Sequence, residues 1–339
     1  MKKKILYAIL ILLIIGLGLA AYGYSIISTG FDINKTVYVY IDKSKNYDLL
    51  LKELKDSARI KSSSNFDRLA DLMEYKGKLR TGRYAVSPNM NILDLIRNLR
   101  NGQQEPVKLK FNNIRTKEDF SERISQQLML DEKDLFSAIN NESTCAKLGF
   151  TTDNIVAMFI PNTYEFYWDI ELDSFLKRMK QEYAKFWDKE RMVKAEAIEM
   201  TPIEVSTLAS IVEEECMYTD EYPKVAGLYI NRLKRGQLLQ ADPTVKFAVG
   251  DFSLRRILFK HTETESPYNT YIHTGLPPGP IRIPSIKGID AVLNYAKHDY
   301  LYMCAKDDFS GYHNFAVTHG EHLQNRDKYI RALNARGIK

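Results

Sequence analysis

Three consecutive glutamates, Glu213 to Glu215, end an apolar run that reads LASIVEEEC from Leu208 to Cys216. Adjacent carboxylates repel one another, so a purely structural stretch has little reason to group them. The run is therefore either the solvated end of a helix or a place where one carboxyl does chemistry. A desolvated carboxyl keeps its proton to higher pH, and such a group can act as a general acid near neutrality.

The start of this helix fixes its phase. Thr201 is a good N-cap, Pro202 suits the first helical position, and Glu204 completes a capping box. The sequence therefore predicts that a helix begins immediately after Thr201.

Helical phase distinguishes the three glutamates. At about 100° per residue, Leu208, Ile211 and Val212 share one face, and the next member of that apolar stripe is Glu215. The two preceding glutamates point to the sides and back, where we predict a solvated helix end. We predict a raised pKa and an acid role for Glu215 alone.

The stretch LQADPT offers a second set of polar side chains. Gln240, Asp242 and Thr244 alternate, which would place them on one side of the chain if it is extended. The alternative is a plain turn, because Asp-Pro commonly opens turns.

Two further stretches suit a cleft wall. In SPYNTY, the amide and hydroxyl groups of Tyr268, Asn269 and Tyr271 could form hydrogen bonds with a polar ligand. The following GLPPGP is rigid, since proline fixes φ and glycine permits close backbone approach. The alternative is a loop with a structural role only.

The sequence HGEH, with His313 nearby, raises the question of a metal site. It lacks a recognised zinc spacing, so we expect no metal there. Thr318 and Glu321 instead form a capping box that opens a final helix. His319 needs no role in this interpretation, whereas His322 could reach the cleft.

The N-terminus predicts a membrane anchor. Three lysines at 2–4 precede an almost unbroken apolar run from Ile5 to Ile27, long enough to span a bilayer as a helix. The lysines should stay in the cytoplasm, which places the rest of the chain outside. A cleaved signal peptide is the alternative, but Ala20-Ala21 is followed by Tyr22 and no clean small-x-small site follows.

The composition is that of an ordinary globular protein with two or three compact units: 339 residues, 45% hydrophobic and 27% charged. A net charge of +5 falls far short of the dense basic patch of a nucleic-acid binder. Cys145, Cys216 and Cys304 are widely spaced and odd in number, which argues against a disulfide framework. We expect small buried residues, although one disulfide with a leftover thiol stays open.

Apolar periodicity outlines the rest of the chain. A small α+β unit is predicted from a strand at 36–41, helices at 47–60 and 66–75, a strand at 82–86 and a helix at 91–102. Beyond a junction near 103–106, we predict helices at 116–128, 131–139 and 173–187, with a loop and short strand within 158–168.

Taken together, LASIVEEEC, LQADPT, SPYNTY, GLPPGPI and the region from YLYMC to HGEH resemble the MltG-type (YceG-like) endolytic murein transglycosylases. The resemblance runs from about Thr36 to the C-terminus and is strongest from Leu208 to His322. It includes the single N-terminal anchor.

The resemblance implies an α+β fold with an N-terminal transmembrane helix and a C-terminal mixed α+β catalytic domain built around a lysozyme-like catalytic helix. The implied segments are a cytoplasmic tail (1–4), the anchor (5–27), a LysM-like domain (35–105), an intermediate helical region (106–195) and the catalytic domain (196–339).

The resemblance also implies an activity. The family's catalytic glutamate matches Glu215, and Cys216 stands where the family often has Thr or Ser, a mild departure. The implied enzyme needs no cofactor and cuts peptidoglycan between N-acetylmuramic acid and N-acetylglucosamine, leaving a 1,6-anhydro end. It would act outside the inner (cytoplasmic) membrane as a single-pass protein, with peptidoglycan synthases as potential partners.

Two other functions stay open at this point. A scaffold could hold glycan through the LysM-like unit without cleaving it. A glycan hydrolase would need a second carboxylate, for which Asp242 is the nearby candidate. A buried, unpaired acid at Glu215 favours an enzyme, because a scaffold gains nothing from it.

Overall fold

The computed structural model describes residues 2–254 and 256–337. The chain divides into two compact units. The first takes in the chain up to residue 109 together with 126–130 and 164–170; the second takes in 110–125, 131–163 and the chain from 171 onward.

Helix α1 (Lys2–Ile27) opens the chain. Within it, Lys3–Ile27 is the one described helix long and apolar enough to cross a membrane, and its apolar side chains are exposed. A helix that is apolar on every side and unburied needs an apolar surrounding. The predicted N-terminal helix is therefore confirmed in its length and its apolar composition.

The first unit contains the predicted small α+β arrangement. The elements are β1 (Val37–Ile41), α2 (Tyr47–Asp56), α3 (Ser63–Leu72), β2 (Gly82–Val86) and α4 (Ile92–Asn101). Strands β1 and β2 pair antiparallel, with Val37 opposite Val86, and their inward side chains pack on apolar faces of the three helices. Gly102 adopts φ +69° and ends α4, as predicted, because glycine enters the left-handed region without a steric penalty.

The middle of the chain supplies strands β3 (Val107–Lys110) and β4 (Thr163–Phe166), which pair with each other. It also supplies helices α5 (Lys117–Ser125), α6 (Glu132–Ile139), α7 (Glu142–Lys147), α8 (Leu172–Phe186) and α9 (Lys189–Ala197). Four of these seven elements lie where apolar periodicity predicts a helix or strand: α5, α6, α8 and β4. Helices α7 and α9 are short and were not predicted.

The C-terminal region is built around one buried helix, α10 (Pro202–Glu215), which packs against α11, α12 and α14. The elements after it are α11 (Tyr222–Lys234), α12 (Asp242–Val249), α13 (Phe259–Thr262), α14 (Ile286–Leu293), β5 (Tyr302–Ala305), β6 (His313–Ala316) and α15 (His319–Ala335). Strands β5 and β6 pair antiparallel, with Tyr302 opposite Ala316. Every residue of α10 from Val205 to Glu213 is buried, so this helix forms the core of the second unit.

Candidate active site

The capping box predicted at the start of α10 is present. The Thr201 hydroxyl accepts from the Glu204 amide at 3.2 Å, and the Glu204 carboxylate accepts from the Thr201 amide at 2.7 Å. This reciprocal cap satisfies two amides that have no partner within the helix. It fixes the helix start, and Glu215 is the last helical residue.

Glu215 opens into a cavity of about 410 Å³ in the second unit. Its walls come from the end of α10, one face of α11, the start of α12, strand β5 and helix α15. The lining residues are Glu215, Leu228, Tyr229, Arg232, Leu239, Gln240, Asp242, Tyr271, Leu301, Tyr302, Met303, Cys304, Ala305, His313 and His322. A concave pocket with a few convergent polar groups is the usual form of a ligand site.

A hydrogen bond from Tyr229 holds the Glu215 carboxyl. The Tyr229 hydroxyl on α11 donates to Glu215 Oε1 at 3.0 Å, and Tyr229 itself is buried. Burial raises the pKa of Tyr229 well above its usual value, so this hydroxyl stays a donor. Glu215 is therefore oriented by a neutral partner, and within 2–254 and 256–337 no cation bonds to its carboxyl.

Burial raises the pKa of Glu215 to about 7. The hydrogen bond from Tyr229 opposes this rise, the negative charge of Asp242 adds to it, and Lys246 opposes it. The predicted rise is confirmed, with desolvation as its main cause. A carboxyl with this pKa can hold its proton near neutral pH and can also release it.

Asp242 lies at the mouth of the cavity, but its local structure was not predicted. The alternation in LQADPT suggested an extended strand, which is wrong: Asp242 is the first residue of α12. Pro243 explains the difference, because proline fits the first helical turn, where its missing N–H is not needed. Tyr271 donates its hydroxyl to Asp242 Oδ1 at 2.6 Å and so fixes this carboxylate.

Gln240 also lines the cavity, held by a buried arginine. Arg232 donates to Gln240 Oε1 at 2.7 Å and to the carbonyl oxygens of Leu238 and Leu301, each at 2.8 Å. Gln240 has φ +52°, so the chain turns sharply before α12 instead of running straight. The amide side chain of Gln240 is thus oriented by Arg232.

Three predicted cleft residues lie outside the cavity lining. Thr244 is buried and donates to the carbonyl of Ala241 at 2.7 Å. Asn269 is buried, with its amide donating to two carbonyls of its own loop. Tyr268 packs on Phe247 and donates to a backbone carbonyl. They differ in position from the expected cleft wall, because their polar groups bond within the protein. Their contact with ligand stays a prediction.

His322 lies on the cavity wall and stacks on Tyr302, with ring centroids 5.4 Å apart. Burial, followed by the neighbouring His319, lowers the pKa of His322, which keeps its ring neutral at pH 7. Its Nδ1 has no hydrogen-bond partner among the described residues. That nitrogen is buried and therefore does not face the cavity.

The side chains considered for a metal have other partners. His313 Nδ1 lies 2.8 Å from Glu221 Oε2, and Glu321 completes the predicted capping box of α15 with Thr318. No group of three metal-ligating side chains occurs within 2–254 and 256–337. The capping-box interpretation is confirmed.

Glu213 and Glu214 do not form a solvated helix end, and that prediction is wrong. Glu213 is buried and accepts from the amide (2.8 Å) and the hydroxyl of Ser285. Glu214 accepts from Arg282 at 2.7 Å and from Arg115 at 2.6 Å. Ion pairs and hydrogen bonds at the helix end explain why two neighbouring carboxylates are tolerated beside Glu215.

The three cysteines are free. Cys145 and Cys216 are buried, as expected for small apolar residues, and burial raises the pKa of both thiols. Cys304 differs from the expectation, because it is half-buried and lines the cavity.

Sequence reasoning missed Tyr229, Arg232 and Tyr302. Tyr229 and Arg232 are three residues apart on α11 and therefore share a helix face. The signal was present in GLYINRL, where a tyrosine and an arginine stand among apolar residues. Unless Glu215 is known to lie opposite them, the pattern predicts a core position for the tyrosine and a solvated position for the arginine.

Comparisons with known proteins agree with the resemblance. The YceG-like family model matches residues 39–328. The endolytic murein transglycosylase of Bacillus subtilis is 29% identical over 346 residues, covering 95% of this chain and 92% of that protein. The endolytic murein transglycosylase of Streptococcus pneumoniae R6 is 26% identical over 331 residues, covering 88% of this chain and 59% of that protein. A crystal structure of a YceG-like protein from Listeria monocytogenes superposes with a TM-score of 0.56 and 26% identity, covering 86% of this chain and 99% of that one.

Proposed function

The chain belongs to the YceG-like family, and from that premise we propose that it is a membrane-anchored endolytic lytic transglycosylase of peptidoglycan. The proposed reaction cleaves nascent strands between N-acetylmuramic acid and N-acetylglucosamine and so ends their elongation. The names of the relatives support this activity. The observation that carries it is Glu215, a carboxyl with a pKa of about 7 on the wall of a large cavity.

The first step needs an acid. Protonated Glu215 donates its proton to the glycosidic oxygen, and the bond from that oxygen to the anomeric carbon breaks. The departing sugar leaves as an alcohol, and positive charge develops on the remaining ring. Tyr229 orients the carboxyl through its hydrogen bond throughout this step.

The second step needs a base, and the same residue supplies it. Ionised Glu215 accepts the proton of the muramic acid C6 hydroxyl, whose oxygen bonds to the anomeric carbon and closes the 1,6-anhydro ring. Glu215 regains its proton, and no water is consumed. A pKa near the working pH suits both roles of one group.

Asp242 has a supporting role in this mechanism. Its carboxylate lines the same cavity and carries negative charge toward the position of the developing cation. The hydrogen bond from Tyr271 holds it in place. Gln240, Tyr271 and His322 complete the proposed sugar contacts, because each presents a polar group to the cavity.

The remaining parts of the assignment follow the resemblance. The order strand, helix, helix, strand in the first unit supports a LysM-like domain at 35–105. Helix α10, which ends in Glu215, supports a lysozyme-like catalytic helix within a domain at 196–339, after a helical region at 106–195. Peptidoglycan synthases are the proposed partners, since they make the strands this enzyme would cut.

Two substitutions should move the pH dependence in opposite directions. Tyr229→Phe removes a hydrogen bond that lowers the pKa of Glu215, so activity should persist to higher pH than in the wild type. Asp242→Asn removes a charge that raises this pKa, so activity should be lost at lower pH. The measurement is kcat/KM for strand cleavage against pH, in which the wild type should lose activity as pH rises through about 7.

The control is Tyr268→Phe, which removes a hydroxyl that bonds elsewhere and should leave the profile unchanged. Shifts of Tyr229→Phe and Asp242→Asn in the same direction would contradict the assignment of the acid to Glu215. Asp242→Asn should also lower the rate less than loss of Glu215 does. Equal inactivation, with a reducing-end product, would instead indicate a two-carboxylate hydrolase.

The proposed topology places 1–4 in the cytoplasm, 5–27 in the membrane and the remainder outside, following the lysines at 2–4. An alkaline phosphatase fused after the last residue should be active, because this reporter needs an oxidising, extracytoplasmic setting. A matched fusion of a reporter that works only in the cytoplasm should be silent, and the opposite pattern would contradict the topology. Cleavage after about Ala21 would show a signal peptide in place of an anchor.

The proposed function is tested by incubating the purified full chain with isolated peptidoglycan strands and separating the products. We expect shortened strands that carry 1,6-anhydro ends. Intact strands after incubation would overturn the enzyme assignment and favour the scaffold.

A further inference from the structure

A buried carboxylate meets a histidine at the wall of the cavity that contains Glu215. Glu221 lies immediately before α11 and is only 6% exposed. His313 is the first residue of β6, and its side chain lines the cavity, whereas Glu221 stands behind it and is absent from the lining. We call this pair the Glu221–His313 dyad. The two steps proposed for Glu215 use neither residue.

Both oxygens of Glu221 are engaged by the same histidine. Oε1 accepts from the backbone amide of His313 at 2.9 Å, and Oε2 lies 2.8 Å from His313 Nδ1. A carboxylate only accepts hydrogen bonds, so the ring proton of His313 lies on Nδ1. Within the described parts of the chain, Glu221 forms an ion pair with no lysine or arginine. The buried carboxylate therefore fixes both the orientation and the tautomer of one ring.

The second ring nitrogen of His313 is left without a partner. No described residue bonds Nε2, and the atom is not buried. The His313 side chain is 15% exposed, and it is exposed where it lines the cavity. With the ring proton on Nδ1, Nε2 carries a lone pair and accepts a hydrogen bond. The ring therefore presents an acceptor to the cavity.

A second histidine shows the bonding expected of a purely structural role. His298 Nε2 lies 2.8 Å from the carbonyl oxygen of Lys224, and His298 Nδ1 accepts from the Tyr300 amide at 3.1 Å. Both of its ring nitrogens are thus satisfied by backbone groups, and the ring does not line the cavity. Tying two segments of chain together does not require the open nitrogen that His313 has.

The charge of the cavity favours a neutral acceptor at this place. Glu215 and Asp242 already set two carboxyl groups in the wall. Another carboxylate would add negative charge beside them and make release of a proton from Glu215 harder. An imidazole nitrogen accepts a hydrogen bond without that charge. It suits a neutral ligand with O–H or N–H groups, which sugars carry as hydroxyl and acetamido groups.

We propose that the Glu221–His313 dyad positions the glycan strand in the cavity, with His313 Nε2 accepting a hydrogen bond from a sugar O–H or N–H group. His313 contacts the substrate, and Glu221 is a positioning residue that acts through it by keeping the ring proton on Nδ1. The inference rests on the proposed function, because the cavity must hold a sugar for this contact to form. The contact is made before and during bond cleavage alike, so its loss should raise KM and leave kcat nearly unchanged.

The variant His313→Asn tests the contact itself. The asparagine amide N–H can take the place of Nδ1–H, so Glu221 keeps a partner while Nε2 is lost. We expect KM for strand cleavage to rise about tenfold, with kcat and the melting temperature close to those of the wild type. If the dyad only ties β6 to α11, KM will not change, and that result would overturn the proposal.

The variant Glu221→Gln reverses the polarity of the ring from behind the cavity wall. The His313 backbone amide only donates, so the glutamine oxygen must face it, and the glutamine NH₂ group then faces Nδ1. Nδ1 becomes an acceptor, the ring proton moves to Nε2, and two donors oppose each other across the contact with the sugar. We expect KM to rise about tenfold or more, although Glu221 does not line the cavity. An unchanged KM would contradict the positioning role.

The matched control is His298→Gln. It removes a half-buried histidine that bonds only backbone groups, so stability should fall while KM of the folded enzyme stays that of the wild type. An equal rise of KM in His298→Gln would overturn the assignment to the dyad, because it would show that any damage near the cavity has this effect.

Nitrogen NMR of the isotopically labelled full chain tests the intact dyad, so misfolding of a variant cannot hide a negative result. The chain has six histidines, and the His313 signals are those that His313→Asn lacks. In the Glu215→Gln protein in detergent micelles, we expect the ring proton on Nδ1. Addition of a soluble N-acetylglucosamine oligomer should shift the Nε2 resonance in a saturable way. A proton on Nε2, or an Nε2 resonance that the oligomer does not move, would overturn the proposal.

The dyad and the proposed function fail in different ways. Strand cleavage by the wild type, together with an unmoved Nε2 resonance and an unchanged KM in His313→Asn, would overturn the dyad and leave the proposed function standing. A saturable shift of Nε2 without any strand cleavage by the wild type would refute the proposed function and leave the contact of His313 with the sugar standing.

Discussion

Replacing Glu215 with glutamine is expected to lower the rate of glycan-strand cleavage by about a thousandfold or more. Glutamine keeps the size of the side chain and can still accept the hydrogen bond from Tyr229. It can neither donate a carboxylic proton nor accept one, so both steps lose their proton carrier. Glycan binding and the melting temperature should stay close to those of the wild type, since the carboxyl forms no ion pair with any described residue.

The matched control is Glu214→Gln, one residue away. Glu214 is absent from the cavity lining and pairs with Arg115 and Arg282, so its loss should affect stability more than chemistry. The assay is release of anhydromuropeptides by both variants and the wild type side by side. An active Glu215→Gln enzyme would show that the acid lies elsewhere.

Arg282→Met is expected to lower the free energy of unfolding by about 3 kcal/mol. Arg282 is largely buried; it donates to Glu214 at 2.7 Å, lies 3.6 Å from Glu213 and also bonds Asn113. Methionine fills similar space but leaves two poorly solvated carboxylates without their shared cation. Denaturant unfolding of the full chain in micelles, followed by circular dichroism, measures the loss.

The control for this prediction is Lys194→Met. Lys194 pairs with Glu190 at 2.8 Å on the exposed side of α9, where the Glu190 side chain is 77% exposed. Such a surface pair contributes about 0.5 kcal/mol or less. Equal effects of the two substitutions would show that the glutamates at the end of α10 do not depend on Arg282.

Helix capping and helical periodicity were enough to predict the position of Glu215 at the end of α10. The capping box at Thr201 fixed the start of α10, and the helical phase then singled out Glu215. Both steps depend on residues within fifteen positions of one another in the chain. The raised pKa followed because a carboxyl at the end of a buried helix loses water.

The same phase argument failed for the neighbouring glutamates because their partners are distant in sequence. Arg115 lies 99 residues before Glu214, and Arg282 lies 68 residues after it. An apolar stripe predicts that one face of a helix is buried and the others are exposed. Helix α10 is instead buried on every side from Val205 to Glu213. Periodicity gives no information on which arginine will meet a buried carboxylate.

The part of the cavity wall that contains Gln240 and Asp242 was harder still to predict. The Asp-Pro pair in LQADPT is compatible with a turn, a strand end or the first turn of a helix, and the structure has the helix. Thr244 was predicted to contact ligand because it alternates with Gln240 and Asp242, and Asn269 because its amide could bond a polar ligand. Their hydrogen bonds are internal instead, as buried polar groups require.

The most direct test of the central claim is strand cleavage in water enriched in heavy oxygen, followed by mass spectrometry of the new ends. A lytic transglycosylase uses the C6 hydroxyl of the sugar itself, so the wild type should produce anhydro ends that contain no solvent oxygen. Glu215→Gln should produce neither. Reducing ends that carry the heavy oxygen would contradict the account, because they would show that water, not the C6 hydroxyl, attacks the anomeric carbon.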